Sequence, residues 1–132
     1  MKQNRIALTK MARIADMKMR FSQSECLRLR SKEAELLAAL GRLRLDVKAR
    51  ADKRMVRADA ALTSGADTRW QAWVEQQRAA LNTELALLRA RRSSAEEDLR
   101  VAIGKDDVSC RLLRLYDAGI RQKADRRQDY ES

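Results

Sequence analysis

The chain contains no histidine and no proline, and it has only two cysteines among its 132 residues. Without histidine it cannot build a histidine-based catalytic triad, a Cys–His nucleophile or a histidine-containing metal site. Two cysteines without CxxC spacing are too few for a zinc cluster. No glycine-rich nucleotide motif is present either. We therefore expect a protein that is not an enzyme and that uses no cofactor or metal.

Turn-forming residues and aromatic residues are also scarce. The chain has four glycines and, as aromatics, only two Trp, two Tyr and one Phe. A β-sandwich or barrel needs regularly spaced turns, which this composition cannot supply. Charged residues make up 36% of the chain, and this bias is typical of long helices and coiled coils. The sequence therefore predicts an all-α chain that forms a single coiled-coil domain over residues 1–132.

The amino-terminal segment has features of a targeting peptide, but it also continues a helix. Residues 1–15 carry basic side chains and no acidic ones, as amphipathic transit peptides do. However, the apolar phase of Met11 and Ile14 continues into Met17 and Phe21 without a break. No apolar run approaches the roughly 18 residues that a transmembrane helix needs. We therefore expect a cytoplasmic protein with reduced thiols and no direct membrane insertion.

One interruption divides the chain into two helices. Residues 63–68 read Thr-Ser-Gly-Ala-Asp-Thr, in which Gly65 offers a permissive backbone and Asp67 offers a capping oxygen. On either side lie about sixty residues without proline. The pattern predicts a helix over about 4–62, a turn over about 63–68 and a helix over about 69–128.

Both predicted helices carry a heptad seam. Steps of four and three define the seam of the second helix as Leu81, Leu85, Leu88, Arg92, Ala95, Leu99, Ala102, Asp106, Ser109, Leu113, Tyr116 and Ile120. The first helix has a shorter seam of Leu29, Glu33, Leu36, Leu40, Leu43 and Val47. Folding the chain about Gly65 would place the two seams opposite each other, with Leu43 against Leu88. We therefore predict two long helices that form an antiparallel coiled-coil hairpin.

Two glycines interrupt these seams. Gly41 and Gly104 each cost about 1 kcal/mol relative to alanine inside a helix. We interpret them as points of local softening where the helices approach each other closely, in preference to hinges.

The net charge of +10 is concentrated in the first half of the chain. Its densest run is Arg42, Arg44, Lys48, Arg50, Lys53, Arg54 and Arg57, which the hairpin would place beside Arg89, Arg91 and Arg92. We call these residues the basic girdle. The girdle is a solvated face, a surface for an acidic protein or a surface for nucleic acid. No aromatic residue is interleaved with it, and this argues against nucleic acid.

Apolar and aromatic residues are in excess at both ends of the predicted hairpin. Trp70 and Trp73 open the second helix, where they would pack internally, anchor a partner, or do both. At the opposite end, Met17, Phe21 and Leu115 belong to apolar clusters larger than one seam can bury. This excess favours a protein partner over additional core or self-association.

These features together resemble a known family. The chain is similar to the small stalk proteins of flagellar and virulence type III export machines, the FliJ/YscO type. The likeness lies in the length, the basic two-helix form and the aromatic opening TRWQAWVEQQRAALNTEL, which contains Trp70, Trp73, Gln77 and Leu81. The charged ending RLYDAGIRQKADRRQDYE is also similar to that family.

The resemblance implies a function and two contact regions. It implies a non-enzymatic adaptor that links the hexameric export ATPase to the cytoplasmic domain of the membrane export gate, and that also contacts export chaperones. The adaptor would act in the cytoplasm, peripheral to the inner membrane, as a monomeric hairpin. Carried over by position, the ATPase contact would involve Met11, Ile14, Leu115 and Ile120. The gate contact would involve Trp70, Trp73, Gln77, Ala80, Arg42 and Arg44.

Two other classes of function stay open at the level of sequence. One is a basic coiled coil that binds nucleic acid, for which affinity would fall steeply with salt. The other is a homo-oligomeric structural coiled coil, for which Trp70 would not be needed.

Overall fold

The chain consists of two long helices. The computed structural model describes residues 2–56 and 60–132, and their side chains over 2–53 and 65–132. Helix α1 spans Lys2–Val56 and helix α2 spans Ala60–Glu131. The two helices pack against each other as an all-α helical hairpin. The predicted fold class is therefore confirmed.

The position of the turn differs from the sequence prediction. Residues 63–68, predicted as the turn, lie inside α2, and α1 ends at Val56 rather than near residue 62. No described glycine has a positive φ, so Gly65 adopts ordinary helical backbone. A glycine costs a helix only about 1 kcal/mol, and continued hydrogen bonding through α2 outweighs it. Residues 57–59, which include Arg57 of the basic girdle, lie outside the described residues.

Contacts between the helices divide the hairpin into two compact units. The terminal unit combines Met1–Cys26 of α1 with Ser94–Ser132 of α2. The middle unit is the continuous segment Leu27–Ser93. Each unit therefore contains part of both helices.

The predicted seams form the interface between the helices. In the middle unit the buried residues include Leu29, Leu43, Val74, Leu85 and Leu88. The predicted α2 seam is buried or half-buried from Leu81 through Tyr116, and only its last member, Ile120, is exposed. The α1 seam from Leu29 to Val47 is likewise buried or half-buried throughout. The heptad phase of both helices is therefore confirmed.

The register between the seams is not the predicted one. The predicted register would place Asp98 opposite Glu33, whereas Glu33 accepts hydrogen bonds from Arg89 and Arg92. Leu88 shares a cleft with Leu36 rather than facing Leu43. The displacement follows from the turn, because α2 begins at Ala60 and each residue pairs with an earlier partner on the returning helix.

The same displacement is present in the terminal unit. There Arg5 Nε donates to Asp117 Oδ1 at 3.0 Å. The predicted register would instead have placed Arg126 near Arg5. Both units therefore depart from the predicted register in the same direction.

The glycines within the helices do not mark close approaches. A Cβ atom built on Gly41 or Gly104 would meet no heavy atom within 4 Å outside the local helix. The interpretation of these positions as points of close helix contact is therefore wrong. Each is an open position at which glycine only weakens the helix.

We expect Leu88→Ala to lower the free energy of unfolding by about 2 kcal/mol or more, because Leu88 is 7% exposed and its loss leaves a cavity in the seam. The neighbouring Leu87 is 60% exposed, so Leu87→Ala should change stability by less than about 0.5 kcal/mol. Thermal unfolding followed by circular dichroism measures both. Equal destabilisation by the two variants would contradict the observed seam.

We expect Gly41→Ala to raise the free energy of unfolding by about 0.5–1 kcal/mol, because alanine favours the helix and the added methyl group meets open space. The same unfolding measurement tests this. A lower stability would show that the helices approach closely at Gly41 after all.

Candidate protein-binding surfaces

A polar cluster in the middle unit lies close to the start of α2. Arg50 Nε and Nη2 each lie 3.3 Å from Asp67 Oδ1. The guanidinium carbon of Arg50 lies 4.3 Å from the centroid of the Trp70 ring, a cation–π distance. Asp67 is only 7% exposed, so this carboxylate is an internal partner of Arg50 and not a helix cap at the surface. Trp70 is therefore engaged within the chain, and its contact with the export gate stays a prediction.

Trp73 follows Trp70 by three residues, about 60° around α2, and is the more exposed of the two. Trp73 is 50% exposed, whereas Val74 next to it is 3% exposed and occupies the interface. Gln77 and Ala80 are also exposed, four and seven residues after Trp73, which places all three on one face of the helix. The structure thus brings together Trp73, Gln77 and Ala80 of the predicted gate contact. We call these three residues the Trp73 face.

The two arginines predicted for the gate contact do not share a surface. Arg42 and Arg44 are both exposed on α1, on either side of the buried Leu43. Residues two apart in a helix point about 200° apart, so the two guanidinium groups project from opposite sides of α1. A single partner surface on α1 would therefore contact one of them more directly than the other.

The basic girdle is interrupted by internal ion pairs. Arg50 is paired with Asp67, and Arg89 and Arg92 are both paired with Glu33. Other girdle members are exposed, namely Arg42, Arg44, Lys48, Lys53 and Arg91, while the side chains of Arg54 and Arg57 lie outside the described residues. The predicted basic girdle is therefore divided between arginines that pair with internal carboxylates and other exposed cations.

Glu33 is a second buried charge of the middle unit, in addition to Asp67. It occupies a seam position at 8% exposure, and Arg89 Nε donates to its Oε1 at 3.2 Å. Hydrogen bonds from Arg92 and then from Arg89 lower the pKa of Glu33 from its ordinary value. The ionised carboxylate is thus held by two guanidinium groups from α2. This contact also explains why Arg92 occupies a position of the α2 seam.

The terminal unit carries a large apolar groove between its two helices, about 1060 Å³ in volume. Its floor includes small side chains, among them Ala15 and Ser109, each 8% exposed. Its walls include larger apolar side chains, of which Met17 and Phe21 are 68% and 71% exposed. We call this feature the terminal groove. Large exposed apolar surfaces of this kind mark interaction sites.

Two of the four residues predicted for the ATPase contact line the terminal groove. Met11 and Ile14 are 52% and 54% exposed along its α1 wall. Leu115 and Ile120 are 69% and 39% exposed on α2 but do not line the groove. The structure therefore unites Met11 and Ile14 in one surface and leaves Leu115 and Ile120 outside it.

The α2 wall of the groove includes Val101 and Val108, which the sequence analysis missed, and Leu112, which belongs to the apolar excess predicted at this end of the hairpin. Each of these three residues directly precedes a seam position of α2. The sequence signal for this second apolar row is an apolar residue directly before each of three seam positions. Two adjacent rows on one helix indicate that it presents more apolar surface than one partner helix covers.

Other kinds of site are not found over the described residues. No helix there is long and apolar enough to cross a membrane. The same residues contain no group of three or more His, Cys, Asp or Glu side chains that could hold a metal ion. Cys26 and Cys110 are both free thiols.

Comparison with known proteins identifies no relative. No protein-family model, no curated protein and no solved structure matches the chain. The Trp73 face and the terminal groove are therefore the features of the molecule from which its function is inferred.

We expect Glu33→Gln to lower stability at neutral pH, with the difference from the wild type shrinking as the solution is acidified. The pKa of Glu33 is lowered in the folded chain. Its contribution is therefore fully present above the ordinary glutamate pKa of about 4.3 and is lost as pH falls through the lowered value. Thermal unfolding at pH 7 and at about pH 3 measures the difference.

The matched control is Glu35→Gln, because Glu35 is an exposed carboxylate on the same helix. It should leave stability nearly unchanged at both pH values. A wild-type advantage over Glu33→Gln that stays constant down to pH 3 would contradict the role assigned to the ionised carboxylate.

Proposed function

We propose that the chain is a non-enzymatic adaptor that binds two protein partners, one through each unit. The observation that carries this proposal is the terminal groove, whose exposed wall residues Met17 and Phe21 have no packing partner within the unit that would cover them. The Trp73 face supplies a second exposed surface, in the middle unit. An exposed tryptophan is the side chain most often used as an anchor at protein interfaces.

The resemblance to type III export stalk proteins suggests the identity of the partners. On this proposal Met11 and Ile14, with Leu115 and Ile120, contact the hexameric export ATPase. Trp73, Gln77 and Ala80 contact the cytoplasmic domain of the export gate, together with Trp70, Arg42 and Arg44. The protein then works in the cytoplasm at the inner-membrane export apparatus, where export chaperones are further partners.

The helical hairpin suits such a role because its exposed anchor side chains project from a rigid helical backbone. The Trp73 face adjoins Val74, which is buried in the seam and holds this part of α2 against α1. Ile14 likewise adjoins Ala15, which is buried against α2. Anchors supported in this way lose little conformational freedom on binding, and this favours affinity. No proton transfer or bond cleavage is part of the proposal.

We expect Ile14→Asp to weaken binding of the export ATPase at least about tenfold and to leave gate binding unchanged. A buried carboxylate in an apolar contact is unfavourable, and Ile14 is 54% exposed in the free chain. Trp73→Ala should weaken binding of the gate domain and leave binding of the export ATPase unchanged. Titration calorimetry with the purified export ATPase and the gate domain from the same organism measures both affinities.

Leu45→Asp is the matched control, because Leu45 is 67% exposed on α1 and belongs to neither contact. It should leave both affinities unchanged. Equal loss of both partners in Ile14→Asp and Trp73→Ala would contradict two separate contacts. Failure of the wild type to bind either protein would overturn the export assignment, and salt-sensitive binding of a DNA or RNA duplex in its place would favour the nucleic-acid alternative.

A further inference from the structure

We propose that the terminal groove binds an amphipathic α-helix of another protein, and that this helix carries carboxylates which pair with Lys18 and Lys105. The proposal relies on the proposed function only in treating the terminal groove as a protein contact. It goes beyond that function by naming the secondary structure and the charge of the bound segment. It holds whichever protein supplies the helix.

The shape of the groove fits a helix. Small residues on the floor, such as Ala15 and Ser109, allow the backbone of a third helix to approach α1 and α2. The α2 wall extends from Val101 to Leu112, a length of roughly 16 Å or three helical turns. The lining residues on both helices recur at helical spacing, so the anchors of a bound helix would meet them at every turn. A bound helix would thus complete a three-helix arrangement in the terminal unit.

The charges that line the groove specify an acidic occupant. Lys18 of α1 and Lys105 of α2 both line it, and no ion pair joins either of them to a carboxylate of the described residues. Four arginines of the terminal unit are paired, namely Arg5 with Asp117, Arg20 with Asp16, Arg100 with Glu97 and Arg111 with Asp107. The groove lysines therefore offer two uncompensated charges next to apolar walls. Carboxylates on the incoming helix would compensate both.

One acidic residue also lines the groove. Asp98 lies two turns of α2 before Lys105, which corresponds to roughly 10 Å along the helix. Asp98 forms an ion pair with neither lysine among the described residues. It marks one end of the groove, whereas the lysines lie between the ends.

A second copy of this chain is a poorer occupant than an acidic helix. Two-fold symmetry would bring the groove of one copy against the groove of the other. Such a dimer would bring Lys18 and Lys105 of both copies, four lysines in all, into one interface, and the chain already carries a net charge of +10. Desolvating like charges against each other disfavours such a dimer.

The test uses two designed helical peptides of about five turns that carry leucines at positions i, i+3, i+7 and i+10. One has glutamates flanking the leucine row and the other has lysines at the same positions. Each peptide is labelled with fluorescein and titrated with the full chain, and anisotropy reports the affinity. We expect the glutamate peptide to bind at least about tenfold more tightly than the lysine peptide.

The decisive variant is the double charge reversal Lys18→Glu with Lys105→Glu, which should invert the preference of the two peptides. The matched control is Lys2→Glu with Lys123→Glu, because both lysines are exposed on the terminal unit and lie outside the groove lining. This control should keep the wild-type preference. Phe21→Ser should weaken binding of the glutamate peptide without loss of helicity, because Phe21 is 71% exposed in the free chain.

Three results would overturn the proposal. The first is that the wild type does not bind the glutamate peptide, and the second is that it binds both peptides equally. The third is a wild-type dimer in sedimentation that Phe21→Ser converts to a monomer, since a second copy would then occupy the groove. Because no export protein is used, peptide binding with no affinity for the export ATPase or gate would overturn only the export assignment.

Discussion

A hairpin of two helices can bury only the stripe that each helix turns toward the other, and this constraint governs the whole molecule. In the middle unit the buried stripe is the seam that contains Leu29, Leu43, Leu85 and Leu88. Any further apolar row must stay in water unless another molecule covers it. In the terminal unit a second row adjoins the seam on both helices, and the terminal groove is the result. The surface proposed for binding thus follows from the packing of one helix against one other over the residues that the structure describes.

The buried ionic contact of Glu33 with Arg89 and Arg92 gives the middle unit a defined register. Apolar heptads tolerate sliding by whole repeats, because one leucine replaces another at little cost. A buried carboxylate tolerates no such slip, since a displaced Glu33 would lose both guanidinium partners. Arg50 and Asp67 form another such internal pair in the same unit. These arginines are engaged by internal carboxylates, although the Arg89 side chain keeps 58% of its surface exposed.

Sequence patterns identified the buried stripes but not the residues opposite them. Leu81 through Tyr116 were recognised because heptad spacing follows from the geometry of a single helix. The turn was misplaced at Gly65 because a glycine flanked by Ser and Asp is a common turn signal, and nothing local shows that the helix continues through it. Met11 and Ile14 were recognised as exposed apolar residues. Lys18 and Lys105 were not, since isolated lysines on polar helices carry no pattern.

The sequence by itself determined that this chain is helical, that each helix has one principal apolar stripe, and that it contains no histidine. These properties depend on composition and on spacing within one helix. Only the tertiary structure decided the register of the hairpin, the pairing of Glu33 with Arg89 and Arg92, and the terminal groove. Those features depend on which residues of α1 and α2 become neighbours. A small shift of the turn changes every such pair while leaving each helical pattern as it was.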